Sequence, residues 1–373
     1  MPEKQTFEIL LVTAPGLEGA LQAEAAEKGF DVTGTIPGGV SLRGDWPDVW
    51  RANLHLRCAT RVLARFGSFR APHLAQLDKR ARRFDWAGVL RPDVPIRVDV
   101  SCTRSRIYHD RAAAQRIEGA LRDGPGMPID AAADLRLMVR IEDDLCTFSV
   151  DTSGEALHKR GHKPAVGKAP MRETLAAGFL RLCGYDGTEP VLDPMCGSGT
   201  FVIEAAEIAA GLAPGRSRGF AFERLAGFDP EVWESMRDEA ARGVVMPGQR
   251  FYGSDRDAGA IRNASANSER SGTAGATQFL RHAISDLKRP DGPPGLVIVN
   301  PPYGGRIGDR KLLFSLYGAL GKTLAERFAG WRVGLVTSDR GLAKATGLKF
   351  ADPTVSVAHG GISVHLFRSG PLG

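Results

Sequence analysis

No C-x-x-C pair occurs in this chain, and its five cysteines (Cys58, Cys102, Cys146, Cys183, Cys196) are scattered. That excludes both a disulfide framework and a thiolate zinc site. His158 and His162 stand four apart without further ligands at metal spacing, so no metal is expected. No apolar run approaches the roughly 18 residues of a membrane span. The N-terminus "MPEKQTFEIL" is charged and runs straight into a strand-like stretch. Neither a membrane nor a signal peptide is expected, and the cytoplasm is the expected location. Internal repeats and low-complexity linkers are also lacking. What remains is 373 residues with 43% apolar and 25% charged side chains, the composition of a globular chain of two or three domains.

Acidic residues are scarce in two places. Between Arg51 and Arg83 nine Lys/Arg face one acid, Asp78, and Arg57, Arg61 and Arg65 recur every four residues, which reads as one face of a helix. Arg70 extends the set. The stretch "LHKRGHKPAVGKAPMR" (157–172) holds six Lys/Arg/His before Pro170 and no acid, among glycines and prolines that forbid a regular helix. Lys159, Arg160 and Lys163 stand at its start. With a net charge of +6, both features point to an anionic partner.

The later part of the chain alternates short apolar strands (190–193, 250–254, 278–282, 296–299, 331–337) with helical patterns (199–211, 257–271, 311–329), as in a doubly wound parallel sheet. "TVSVAHGGISVHLFR" reads as a closing β-hairpin through His359, Gly360 and Gly361. The expected fold is α/β, a class I methyltransferase Rossmann-like sheet with a C-terminal antiparallel hairpin. The first 150 or so residues lack that rhythm and read as α+β modules with mostly antiparallel strands. Glu142-Asp143-Asp144 is expected as a hairpin turn between two apolar strands. The basic loop after Asp151 marks a border.

"PVLDPMCGSGT" brings Asp193 to a strand tip and then glycines before an apolar helix, where free N–H groups and close backbone approach favour a ligand. It is not G-x-G-x-x-G. The only GK[ST], Gly321-Lys322-Thr323, has Leu316 where a P-loop needs glycine and lies in a helical pattern, so it reads as structural. An acid ahead of the glycines repels a pyrophosphate and suits the cationic end of S-adenosylmethionine. Asp255 ends the second strand, placed to accept ribose hydroxyls, with Asp257 the better helix cap. Asp286 follows the third strand, where it can accept from an adenine amine.

"VIVNPPYGG" ends the fourth strand in Asn300, Pro301, Pro302 and Tyr303. The prolines stop the strand and stiffen the turn. Asn300 Oδ1 and a proline carbonyl can accept both protons of an exocyclic amine while Tyr303 stacks on the base. Drawing those protons from the ring plane localises the nitrogen lone pair toward a methyl donor. No strong general base is needed.

Together, "LDPMCGSGTFVIEAA", "GSDRDAGAIRNASAN", "VNPPYGGRI" and "LHKRGHKPAVGKAPMRETLAA" resemble the THUMP-domain class I RNA methyltransferases, closest to bacterial guanine-N2 enzymes of 23S ribosomal RNA. "TAPGLEGALQAEAAEKGF", "GGVSLRGD" and "DTSGEALHKRG" are similar to the family's ferredoxin-like and THUMP modules, so the resemblance covers nearly the whole chain. It implies a ferredoxin-like module (1–58), a THUMP RNA-binding module (59–155) and a methyltransferase domain (156–373). S-adenosylmethionine is the implied cofactor. Asp193, Gly197 and Gly199 would line its methionine end with Cys196 and Thr200 beside them, Asp255 its ribose and Asp286 its adenine, while Pro170, Met171 and Glu173 approach from the side. Some relatives carry a second methyltransferase domain, which these residues do not contain, and 163–168 departs from the arginine-rich version of the loop.

The implied partner is structured RNA, ribosomal first and transfer RNA second, with a monomer favoured. A DNA amino-methyltransferase shares Asn-Pro-Pro-Tyr, but nothing here reads as a DNA target-recognition domain. A non-catalytic RNA-binding assembly factor is the rival from another class, and intact Asp193, Asp255 and Asn300 argue against it.

Overall fold

A computed structural model describes residues 6–163, 171–303, 310–359 and 361–373. The chain divides into two compact units, the first made of Met1–Thr13, Gln22–Leu157 and Arg218–Asp238, the second of Ala14–Leu21, His158–Ser217 and Glu239–Gly373.

The first sheet takes β1 (Phe7–Val12), β2 (Asp31–Ile36), β3 (Gly39–Gly44), β4 (Arg61–Arg70), β5 (Ile96–Thr103), β6 (Leu135–Glu142) and β7 (Leu145–Asp151), with α1 (Glu18–Glu27), α2 (Trp46–His55), α3 (Leu74–Ala81) and α4 (Asp110–Asp123) between them. Its order is β2-β3-β1-β4-β7-β6-β5, antiparallel except for β5 beside β6. The strands of the two expected N-terminal modules thus share one sheet. Ile9, Leu11, Val62 and Ala64 are fully buried at its centre. Phe84, Trp86 and Phe148 pack as a cluster, with ring centroids 4.6 to 5.0 Å apart. Asp143 and Asp144 take left-handed backbone angles (φ +49° and +63°) in the turn between β6 and β7. Aspartate tolerates that conformation better than most residues, and the turn is where the acidic triplet placed it.

The expected helix face of Arg57, Arg61 and Arg65 is not formed. α2 ends at His55, and Arg61 and Arg65 lie on β4. A spacing of four satisfies a helical period but also the two-residue period of a strand, so the arginine pattern could not decide. Nor do these arginines lack acids. Arg61 pairs with the buried Asp151 and Arg65 with Glu8, both from outside the run that looked unbalanced.

The second unit holds α5 (Glu173–Leu182), β8 (Val191–Asp193) and α6 (Thr200–Ala209). After α7 (Pro230–Arg242), whose first turns belong to the first unit, come β9 (Phe251–Asp255), α8 (Ala258–Ser271), β10 (Thr277–Arg281), β11 (Leu296–Val299), α9 (Arg310–Arg327), β12 (Arg332–Thr337), α10 (Arg340–Ala345), β13 (Ala351–His359) and β14 (Ile362–Arg368). The sheet order is β10-β9-β8-β11-β12-β14-β13, parallel as far as β12, with β14 antiparallel to both β12 and β13. This is the Rossmann-like sheet with its antiparallel hairpin. Apolar residues alternate between its two faces. Val191 and Ile298 pack toward Phe179 of α5 and Phe201 of α6, while Leu192, Val297 and Val299 pack toward Tyr317, Leu320 and Leu324 of α9. That is why β11 needed four apolar residues in a row.

Gly321-Lys322-Thr323 is helical within α9, as its pattern indicated. A side chain at Gly321 would bring its Cβ within 1.7 Å of the Thr346 carbonyl after α10. The glycine serves backbone packing, not phosphate binding. Gly321→Ala is expected to cost about 1–3 kcal/mol by overpacking, seen as a lower urea midpoint. An unchanged midpoint would show that α9 and α10 are not in such close contact.

Candidate active site

The parallel strands deliver three polar side chains at their carboxyl ends: Asp193 from β8, Asp255 from β9 and Asn300 just past β11. Ligands bind at that edge of open α/β sheets, next to the point where strand order reverses, which here lies between β8 and β11. Asp193 Oδ1 accepts the Met195 N–H at 3.0 Å, turning the chain sharply. Gly199 N–H donates to the Cys196 carbonyl at 2.8 Å and closes the loop that leads into α6. Gly197 and Gly199 hold φ of +52° and +84°, the left-handed region that favours glycine. Asp255 reaches across to the same loop. Its Oδ2 accepts from Gly197 N–H at 3.1 Å and its Oδ1 from Asp257 N–H at 2.9 Å. Asp257 caps α8 through Gly259 N–H at 2.7 Å.

These elements enclose a cavity of about 590 Å³. Of the expected residues, Met171, Asp193, Cys196, Gly197, Thr200, Asp255, Asn300 and Pro302 line it. Met195, Ser198, Phe201, Asp257 and Ala260 also line it and were not anticipated. Phe201 and Ala260 lie in the first turns of α6 and α8, and the helical periodicity of those segments was the signal that could have placed them. Gly199 and Glu173 are not in the lining. Gly199 instead packs tightly against Ala264 and Phe279, and Glu173 is buried against Lys163. Asp286 is exposed on the short turn Ile284–Asp286 and is likewise not in the lining. Pro301 is buried, and Tyr303 is half-buried against apolar residues of both cores. Pro170, Gly304 and Gly305 lie outside the described residues.

Among the described residues the lining holds three carboxylates and no lysine or arginine. Burial pushes the pKa of Asp193 up to about 8, and the charge of Asp255 adds to the rise while the Met195 N–H opposes it. The Cys196 thiol is raised well above its usual range, first by burial and then by both aspartates, so it stays neutral and is no nucleophile. Asn300 Oδ1 is buried and has no hydrogen-bond partner among the described residues. A buried acceptor left unpaired is costly, and such groups call for a ligand. A cationic ligand that also offers N–H donors fits both features.

The residues expected to grip RNA meet several fates. Arg57 is buried after α2, where its backbone N–H donates to Glu24. Arg61 and Arg65 are ion-paired as described, and Arg70, exposed at the end of β4, donates to the Asp143 carbonyl. Lys159 is exposed. Arg160 is not, because it is buried against Glu204 of α6 at 3.4 Å. Lys163 turns inward to Glu173 at 2.7 Å. Burial lowers the pKa of His158 to about 4 and also lowers that of His162, so neither adds positive charge at neutral pH. Among the described residues no cluster of His, Cys, Asp and Glu could hold a metal, and no helix is long and apolar enough to cross a membrane.

The sheet order, the antiparallel hairpin and the acidic strand tips beside a glycine loop define a class I methyltransferase domain. Residues 160–367 match the family described as "RMKL-like, methyltransferase domain", and residues 8–63 the "RlmL ferredoxin-like domain". The chain belongs to this RMKL-like methyltransferase family, and a domain of this class takes S-adenosylmethionine as its cofactor. The chain is 34% identical over 392 residues to "Ribosomal RNA large subunit methyltransferase K/L" of Chromohalobacter salexigens, covering 99% of itself and 52% of that protein. It thus spans about half the length of the curated relatives it matches. Among solved structures it is similar to SMU.472, a putative methyltransferase complexed with S-adenosylhomocysteine (27% identity, TM-score 0.87, 99% of both chains). It is similar also to a predicted N6-adenine-specific DNA methylase from Listeria monocytogenes (30% identity, TM-score 0.87, 98% of this chain and 97% of that one).

Because folding raises the pKa of Asp193 from an ordinary 3.8, its contribution to stability is fully present below that value and is lost as pH rises through about 8. In protein without added cofactor, Asp193→Asn is therefore expected to gain stability over wild type by about 1.4 kcal/mol per pH unit between roughly pH 5 and 8. Urea unfolding across that range reads the difference. A gap that does not change with pH would mean that Asp193 is ionised at neutral pH.

Proposed function

We propose that the chain is an S-adenosylmethionine-dependent RNA methyltransferase that methylates the exocyclic N2 of a guanine in 23S ribosomal RNA. The observation that carries this reading is the buried, unpaired Asn300 Oδ1 at the rim of a carboxylate-lined cavity. The bound cofactor supplies an electrophilic methyl group. Asp193 balances its positive charge, Asp255 accepts from ribose hydroxyls, and Met171 and Phe201 give apolar wall. Asn300 Oδ1 accepts one amine proton and a proline carbonyl the other, which frees the lone pair for in-line attack. The released proton passes to solvent. The same two acceptors would serve an adenine amine, so the choice of guanine N2 rests on the family resemblance of the motifs, and the choice of large-subunit ribosomal RNA is supported by the name of the curated relatives.

Single-turnover methyl transfer should fall on the order of a hundredfold or more in Asn300→Ala, with cofactor affinity little changed. Asn300→Asp should keep part of the rate, since a carboxylate still accepts. Tyr303→Phe should be mild and Tyr303→Ala severe, because base stacking, worth roughly 1–3 kcal/mol, needs only the ring. Wild-type rate in Asn300→Ala would end the proposal. Nucleoside mass spectrometry of RNA from a strain lacking the gene decides the substrate. Loss of N2-methylguanosine from 23S RNA supports the reading, loss from transfer RNA moves it to the alternative, and loss of N6-methyladenosine replaces the target base. No loss of any methylated nucleoside would favour the non-catalytic assembly factor.

The proposal assigns RNA capture to residues 1–155, with 218–238 joined to them by packing, and catalysis to the remainder of 156–373. An RNA substrate of this kind would place the protein in the cytoplasm. Arg70 and Lys159 are the expected RNA contacts that face solvent. For the full chain, Arg70→Ala and Lys159→Ala should each lower the slope of log affinity against log salt by about 0.7–0.9. Identical slopes in wild type and both variants would remove these two residues from the interface.

A further inference from the structure

Lys163 was expected to reach RNA, yet its side chain is only 8% exposed. An ammonium group has three N–H donors and no acceptor. All three donors are engaged, by Glu173 Oε1 at 2.7 Å, the Met171 carbonyl at 2.9 Å and Thr200 Oγ1 at 3.1 Å. Met171 and Thr200 line the cavity, and Glu173 begins α5.

The direction of the third bond matters. Lysine can only donate, so the Thr200 hydroxyl oxygen must accept, and its own proton must point away from Lys163. Thr200 is the first residue of α6, in the cavity wall beside Ser198. Among the described residues the acidic side chains of the lining are three aspartates, with no lysine or arginine, which suits a ligand's ammonium or sulfonium and repels a carboxylate. A ligand with an amino-acid end carries both signs, and its carboxylate needs donors held away from Asp193 and Asp255. We propose that Lys163 is a positioning residue that fixes the Thr200 hydroxyl as a donor to the carboxylate of the cofactor's amino-acid end. This rests on the reading that S-adenosylmethionine occupies the cavity.

The loop that carries Lys163 does not depend on it for docking. Arg160 pairs with Glu204, His162 Nε2 lies 3.7 Å from Glu207, and Arg270 donates to the His162 carbonyl at 3.0 Å. Replacing Lys163 alone would leave Glu173 buried and unpaired, so the test uses Lys163→Met/Glu173→Gln in the full chain. The probes are S-adenosylhomocysteine and 5′-methylthioadenosine, which lacks the amino-acid end. Calorimetry should show about a tenfold loss of S-adenosylhomocysteine affinity, the scale of one hydrogen bond to a charged group, with 5′-methylthioadenosine unchanged within about twofold. Thr200→Val should reproduce the selective loss, and adding Lys163→Met/Glu173→Gln to it should cost less than about twofold more. Parallel loss of both ligands, or multiplying losses in the combined variant, would overturn the positioning role and leave the cofactor reading intact. If wild type binds the two probes equally, the amino-acid end is not held here and the positioning role fails alone, whereas binding of neither probe would defeat the cofactor reading itself.

Discussion

Two carboxyl groups at the tips of neighbouring parallel strands, Asp193 and Asp255, set the terms for the catalytic unit. Among the described residues neither meets a lysine or arginine in the cavity wall, and they are held by backbone N–H groups from the glycine loop and the cap of α8. Backbone donors fix position without cancelling charge. The glycine loop, the close approach of α6 and the burial of Asp193 all follow from that arrangement, and the unfavourable ionisation of Asp193 is relieved when a cation arrives. The protein thus stores an electrostatic demand that its ligand meets. Asn300 repeats the scheme with a neutral group, because its buried oxygen has no partner among the described residues.

The catalytic sheet was legible because each of its strands is short, apolar and ended by a residue that cannot continue it. The same fact placed Asp193, Asp255 and Asn300 at the carboxyl ends of the strands. The spacing of Asp257 before its helix also identified the cap. In the first unit, β2 leaves little mark in the sequence because "DVTGTI" is polar and half exposed, with little burial to imprint a pattern. β4 was taken for helix because charge spacing was weighed above the adjacent Val62, Leu63 and Ala64, which a central strand buries. Asp286 looked well placed by position along the chain, but its strand is followed by a turn that leaves it in solvent.

The basic loop shows most clearly what sequence could not say. The loop itself contains no acid, yet Glu173 and Glu204 receive Lys163 and Arg160 from the helices that follow. Glu204 sits nearly fully buried on a largely apolar helix and meets the loop's Arg160, while Glu207 of the same helix pairs with Arg216. Charge balance within a window of sequence is a poor guide where the partner is supplied by a later element. Buried pairs of this kind are demanding in geometry and add little net stability, so their main effect is to hold one arrangement of the loop.

The chain passes between its two compact units five times, at 13/14, 21/22, 157/158, 217/218 and 238/239. The segment 218–238 gives the first unit Phe222 and Trp233, whose rings lie 4.9 Å apart, and Phe222 stacks on Trp50 at 6.0 Å. Those aromatics are made long after the strands they complete. At about 5–20 residues per second of synthesis, the 81 residues between 157 and 238 take roughly 4–16 s to appear. For that interval Trp50 lacks its partner while the catalytic half is already being made. The first unit is therefore completed only after part of the second has been made, and neither can be exchanged between proteins as a single continuous cassette.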